Sequence, residues 1–258
     1  GAKFSFMKMA LAESPGLSFA GLWFTLAAVI LLAVLKWREG SIGAPPDAWW
    51  PLIWMGVLSN TLYQVFFMYC LTHTSVANAS LIIATTPLLV AFLGAATGIE
   101  ALRRPVVTGG ILGFAGVTFI LAGKGAAVGV GGLAGDAAIF GATLCWAIFT
   151  LGVRALRVRI STLRLTAWTM VTGAPGLLLL GGPGLVTLNW GTLGARAWTG
   201  VAYSTLLAIV VAYILWNNGV RVVGSGRTAI FNSMIPLIAM LVAWPLLGLK
   251  PSLGLLAG

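Results

Sequence analysis

The sequence predicts an all-α polytopic membrane protein: ten transmembrane helices built as two inverted five-helix repeats, with helices 1 and 10 truncated. Three observations predict it. Of 258 residues, 59% are hydrophobic and only 8% charged, with a mean hydropathy of +1.02. Apolar runs long enough to cross a bilayer follow one another along the chain. A proline-centred string then recurs at a shift of 149 residues.

A soluble domain carries about 25% charged residues. A chain with 8% could not keep its surface in water. The same composition excludes disorder, because apolar burial is more than sufficient. Cys70 and Cys145 both lie in apolar runs, which excludes a disulfide framework and a thiolate metal cluster. The net charge of +10 is the footprint a nucleic-acid binder would leave. Here no seven-residue basic cluster appears and the cations fall between apolar runs, so they orient the chain and no nucleic-acid partner is expected.

A spanning helix needs about 20 mostly apolar residues. Spans are expected at 17–35, 49–71, 75–98, 105–122, 134–153, 163–181, 197–219 and 226–248. Turn chemistry bounds them: Glu13-Ser14-Pro15 before the first, Pro45-Pro46-Asp47 before the second, Gly181-Gly182-Pro183 after the sixth. Residues 1–12 and 251–258 are apolar but too short to cross. They are expected to be the end of one helix and the start of another, which makes ten. The first stretch lacks the basic leader and cleavage site of a signal peptide.

Lys and Arg then set the orientation. Lys36, Arg38, Arg103, Arg104, Arg154, Arg157, Arg159, Arg164, Arg221 and Arg227 fall on one side; Lys124, Arg196 and Lys250 fall on the other. The positive-inside rule places the richer side, and both termini, in the cytoplasm. Trp37, Trp49 and Trp50 at one interface, and Trp190 and Trp198 at the other, fit aromatic belts.

Residues 75–87, SVANASLIIATTP, align with residues 224–236, GSGRTAIFNSMIP. The shift brings Pro87 onto Pro236, with small polar residues beside each. A proline inside a helix removes a backbone hydrogen bond and kinks it, so both are expected hinges. The step from Gly1 to Lys8 recurs from Ala147 to Arg154. With five helices per half, the second half enters the membrane inverted, the plan of many secondary transporters. The two repeats are expected at 1–123 and 134–258. Ordinary similarity between membrane helices is the competing explanation.

A family resemblance covers nearly the whole chain. The opening GAKFSFMKMAL resembles the end of the first helix in the EamA family of the drug/metabolite transporter (DMT) superfamily, with Gly1, Phe4 and Lys8 matching. Residues 62–100 are similar to that family's helix 3–4 signature: a Thr-Ser turn, Asn-Ala-Ser-Leu, an internal proline, and Gly98-x-Glu100 to close. Gly135-Asp136 followed by LCWAIFTLGVRAL resembles its helix 6, and residues 213–236 its helix 8–9 hairpin. The resemblance implies ten helices in two inverted halves, a bacterial inner-membrane location and export of small metabolites. Among members, the chain is most similar to aromatic amino acid exporters of the YddG type. It departs from the family at Lys3, where a small polar residue is usual, and at Leu249-Lys250, which replaces a Gly-Glu pair.

The acids are Glu13, Glu39, Asp47, Glu100 and Asp136, each at a helix end or in a loop, and the single histidine, His73, lies in a tight turn. Ion coupling usually runs through buried carboxylates or histidines, so no obvious proton relay is expected. No HExxH motif, acid pair or Ser-His set lies in any span, so neither enzyme chemistry nor a cofactor is expected. The expected partners are a small-molecule substrate and the lipid bilayer. Gly94/Gly98 and Gly109/Gly113 have the spacing of close helix packing, which needs no dimer. A monomer is expected, with a dimer as the alternative.

Candidate substrate contacts are Lys3, Asn60, Tyr63, Gln64, Asn78, Ser80, Thr86, Trp146, Tyr203, Tyr213 and Asn232. Single Ser and Thr residues usually join helices, whereas aromatic rings with a few amides suit a cavity for partly polar ligands. Lys8 lies about 7.5 Å of helix rise from Glu13 and can snorkel outward. Lys3 lies about 15 Å from that end, near the midplane, where an ammonium needs water or an anionic substrate group. The expected function is amino acid efflux. A drug or nucleotide-sugar transporter of the same fold is the alternative, and a non-transporting scaffold the alternative of a different class.

Overall fold

The computed structural model describes residues 16–123, 132–187 and 194–234. Lys3, Lys8, Pro236, both terminal stretches and most of the span expected at 226–248 lie outside the described residues. Among the described residues the only regular structure is helical.

The first helix, α1, is Gly16–Glu39. A single 3-10 turn, Pro46–Ala48, leads into α2 (Trp49–Gly56), a π-helical stretch (Val57–Leu62) and α3 (Tyr63–His73). Then follow α4 (Val76–Ala84), α5 (Thr86–Ala96), α6 (Arg104–Gly123), α7 (Leu133–Ala155) and α8 (Thr162–Val186). The chain continues as α9 (Ala195–Tyr203), a second π-helical stretch (Ser204–Val211), α10 (Ala212–Val223), α11 (Ser225–Ile230) and a 3-10 turn, Phe231–Met234. Among the described residues, five helices are long and apolar enough to cross a membrane: Leu17–Glu39, Asn78–Ala96, Leu133–Ala155, Thr162–Val186 and Trp198–Val223. The run 49–73 is helical throughout, but it carries Ser59, Asn60, Thr61 and Gln64 and is not among them.

The described residues form two compact units, one of 66–151 and 223–234, the other of 16–65 and 152–222. In the second, α1 and α2 pack on α8 through glycines. A Cβ on Gly56 would lie 2.6 Å from the Thr169 carbonyl oxygen, and one on Gly181 2.4 Å from that of Leu17. Water drives little helix association inside a bilayer, so such close approach, with the dispersion contacts it permits, is what holds helices together. Phe19, Trp23, Phe24, Leu165, Met170 and Leu177 fill the interior. Leu179 and Leu215 stand exposed, as a lipid-facing surface requires.

In the first unit, Val90, Ala147, Leu151 and Ala229 form the core. Gly94 approaches Leu151 and Gly109 approaches Ile230, as expected from their spacing. Gly98 does not share that role. Its φ is +69° with open space around it, so it closes α5 as a left-handed turn residue.

Pro87 was expected inside a kinked helix. The helical run Asn78–Ala96 is interrupted at the single residue Thr85, and Pro87 follows in the first turn of α5. The carbonyl that a fourth-residue N–H would have served is that of Ile83. The Thr86 hydroxyl donates to it instead, and the Thr85 hydroxyl donates to Ile82. On the other repeat, α11 likewise gives way to a 3-10 turn, Phe231–Met234, shortly before position 236.

Candidate functional site

Three polar clusters stand out against the apolar helices. The first lies wholly within the unit of 16–65 and 152–222. Asn60, on the π-helical stretch, donates from Nδ2 to the Thr169 carbonyl at 2.7 Å and accepts at Oδ1 from the Tyr213 hydroxyl at 3.3 Å. One turn beyond Tyr213, Asn217 donates to the Thr166 hydroxyl at 2.8 Å. Thr166 in turn lies one turn before Thr169, whose hydroxyl donates to the Thr166 carbonyl at 3.1 Å. The ring of contacts closes across the π-helical stretch, α8 and α10. Asn60, Thr166, Thr169 and Asn217 are fully buried. Phe24 packs edge-on against the Tyr213 ring at 6.5 Å.

The same unit leaves polar atoms unserved. Trp23 Nε1, Gln64 Nε2, Thr205 Oγ1 and Asn217 Oδ1 are buried without a hydrogen-bond partner. An unmet buried donor or acceptor costs about 1–3 kcal/mol, so it is usually retained for a reason. Gln64 is 1% exposed and lies two residues past the π-helical stretch, a local distortion common at functional positions.

The second and third clusters lie in the other unit and cap helices. Asp136, in the first turn of α7, accepts from the Thr74 hydroxyl and from Asn78 Nδ2 at 3.1 Å. Ser75 caps α4 itself, its hydroxyl accepting from the Asn78 N–H at 3.0 Å. At the repeat-related position 224 there is a glycine, which has no side chain to cap with. Its φ of +102° admits little else, and a Cβ there would meet Glu100 Oε1 at 3.0 Å. Glu100 supplies the cap: its carboxylate accepts from the Ser225 N–H at 3.0 Å, the Ser225 hydroxyl at 2.5 Å and the Gly226 N–H at 3.3 Å. The remaining described acids are also engaged, Glu39 with Arg164 at 2.9 Å and Asp47 with Arg159 at 3.2 Å.

Of the residues singled out from sequence, Asn60, Tyr63, Gln64, Tyr203 and Tyr213 belong to one unit, and Asn78, Ser80, Thr86, Trp146 and Asn232 to the other. Asn60 and Tyr213 meet. Asn78 is engaged by Asp136, Thr86 by the Ile83 carbonyl, and Trp146 packs beside Phe149 at 5.3 Å between ring centres. Tyr63, Ser80, Tyr203 and Asn232 are partly exposed. Lys3 and Pro236 lie outside the described residues. Sequence reasoning missed Thr166, Thr169 and Asn217. Asn217 carried a legible signal, because it follows Tyr213 by one helical turn.

The family profile described as the EamA-like transporter family matches residues 1–122 and again residues 133–258. The chain is similar to an uncharacterized transporter, YyaM, of Bacillus subtilis, 26% identical over 95% of this chain and 81% of that one. It is similar also to an uncharacterized transporter of Archaeoglobus fulgidus, 28% identical over 96% of this chain and 85% of that one. A solved crystal structure shares the fold at a TM-score of 0.80 and 20% identity, covering 98% of this chain and 86% of its own. With two profile matches spanning nearly all of a sequence rich in membrane-crossing helices, the chain is a multi-pass membrane protein and belongs to the EamA-like transporter family.

Proposed function

We propose that this protein is a secondary transporter of the inner membrane that exports small metabolites, amino acids including aromatic ones foremost, by alternating access. The proposed architecture is ten helices in two inverted repeats, 1–123 and 134–258, with Pro87 and Pro236 beside the hinges. The observation that carries the reading is the Gln64 amide, buried with Nε2 unserved in a family whose members move solutes. An amide donor kept dry is a natural contact for a substrate carboxylate or carbonyl. Tyr63 and Tyr203 supply ring faces of the kind an aromatic side chain stacks on. Lys3 is proposed as the cationic contact for the substrate carboxylate. The four described acids, Glu39, Asp47, Glu100 and Asp136, all have protein partners, which favours a cycle driven by the substrate gradient over a carboxylate proton relay.

Efflux from proteoliposomes loaded with a panel of amino acids tests the reading. Gln64→Leu and Lys3→Ala are each expected to lower efflux of carboxylate-bearing substrates at least tenfold relative to neutral analogues. Both proteins should still purify as single species. Failure of the parent protein to move any amino acid transfers the proposal to drugs or nucleotide sugars. An equal loss on charged and neutral substrates removes the binding role of Lys3.

Orientation has its own test. We propose that the arginine-rich segment 154–164 and both termini face the cytoplasm, on the ratio of cations between the two sides. An impermeant thiol reagent applied to intact cells should label single cysteines placed at 123–133 or 182–196, and leave one at 155–162 untouched. Labelling of 155–162 from outside would reverse the topology.

A further inference from the structure

The segment joining α7 to α8 borders an open pocket of about 560 Å³ against the end of α10. Arg157, Arg221, Ser161, Asn218, Val158 and Val222 are among the residues that line it. Arg221 is held in place: Nη1 donates to the Ile160 carbonyl at 2.8 Å and Nη2 to that of Arg157 at 2.7 Å. Neutral carbonyls orient a guanidinium without cancelling its charge. Arg154 reaches the same region, donating to the Arg221 carbonyl at 2.7 Å. Glu39 accepts from the pocket's Ser161 hydroxyl at 2.5 Å and pairs with Arg164, and Asp47 pairs with Arg159. Among the described residues no carboxylate forms an ion pair with Arg157 or Arg221, so both guanidinium charges are left for a ligand.

Val158 is 86% exposed and Val222 72% exposed beside these cations. A pocket for a free anion has no use for bare valines at its lip. A phospholipid has use for both, since its phosphate meets guanidinium groups while its glycerol and first acyl carbons meet the valines. We propose that this pocket binds the phosphodiester headgroup of an anionic membrane lipid. Arg221, already oriented, and Arg157 share the phosphate oxygens, and the Asn218 amide stands within the same lining. The proposal requires only that the chain spans a bilayer. It is independent of what the protein carries.

Native mass spectrometry of the full chain in neutral detergent, titrated with phosphatidylglycerol or phosphatidylcholine, tests it. Arg157→Gln is expected to weaken phosphatidylglycerol binding about fivefold, the scale for one cation at an anionic surface. Arg159→Gln changes the net charge identically, but Arg159 lies outside the pocket and is paired with Asp47. It should stay within about twofold of the parent. Arg157→Lys, which keeps the charge, should also stay near the parent. Phosphatidylcholine should bind more weakly and ignore all three changes. Equal losses in the Arg157→Gln and Arg159→Gln proteins would reduce the site to diffuse charge and overturn it. So would unchanged binding in Arg157→Gln, or a loss in Arg157→Lys as large as in Arg157→Gln. Displacement of phosphatidylglycerol by millimolar inorganic phosphate would assign the pocket to a soluble anion instead.

Discussion

Glu100→Ala should lower the melting temperature of the purified protein by about 4–12 °C. Three donors converge on this carboxylate, the N–H and hydroxyl of Ser225 and the N–H of Gly226. Hydrogen bonds to a charged group contribute about 1.5–3 kcal/mol singly, and less than their sum when they share one acceptor. The group is partly exposed, so a total of about 2–3 kcal/mol is the reasonable scale. For a chain of this size each kcal/mol moves the midpoint by about 2–4 °C. No other cap is at hand, because Gly224 has no side chain and Ser225 uses its hydroxyl on Glu100 itself. Glu100→Gln should fall between, keeping one acceptor oxygen but losing the charge that complements the helix dipole. Ser75→Ala, on the repeat-related helix, should cost only about 1 kcal/mol, since Asp136 still holds Asn78 and Thr74 there. Cys70 and Cys145 are buried in the same unit as Glu100, so a thiol-reactive fluorophore reads its unfolding directly. A Glu100→Ala protein that melts with the parent would show that the carboxylate carries no stability.

The contrast between Ser75 and Gly224 shows what could be read from the chain and what could not. Repeat alignment brings the two together from letters alone. Hydropathy and turn residues likewise place the five described spans, to within about five residues at their ends. Those signals are local, and a membrane amplifies them by demanding that each spanning segment satisfy its own backbone. The partners are another matter. That Glu100 caps a helix 125 positions away, or that Asp136 reaches back to Asn78, depends on helix packing that no window of sequence encodes. The same limit explains Asn60 and Tyr213, which were singled out as substrate contacts one by one. The structure joins them to each other and to Thr169, so their hydrogen-bonding capacity is largely spent on holding three helices together. Gln64 stands four residues from Asn60 and reads identically in sequence, yet its Nε2 has no partner. Pro87 is legible as a disruption, but the group that serves the carbonyl it abandons is not. Here that is the neighbouring Thr86.

Gly173→Val is expected to be strongly destabilising. A Cβ at this position would lie 2.5 Å from the Gly56 carbonyl oxygen and 2.6 Å from the Asn60 Cβ. Neither obstacle is a flexible side-chain end, so α8 would have to move away from α2 and the π-helical stretch. Overpacking of this kind costs about 1–3 kcal/mol in itself. The displacement also strains two buried hydrogen bonds that cross the contact, Asn60 to the Thr169 carbonyl at 2.7 Å and Thr61 to the Gly173 carbonyl at 2.8 Å. Leaving such groups unserved adds about 1–3 kcal/mol for each one lost. The total approaches about 5 kcal/mol, a large share of the stability of an ordinary domain. Gly173→Ala, with the same Cβ and nothing beyond it, should already lose more than half of this. Gly182 provides the control, since it lies on the same helix and a Cβ there meets nothing within 4 Å. Gly182→Ala should be neutral or slightly stabilising, because alanine favours a helix by up to about 1 kcal/mol over glycine. Trp23 and Trp168 lie in the same unit as Gly173, so tryptophan fluorescence on heating follows the loss where it occurs. If Gly173→Ala and Gly182→Ala melt together, the glycine contact between α2 and α8 is not what holds this unit.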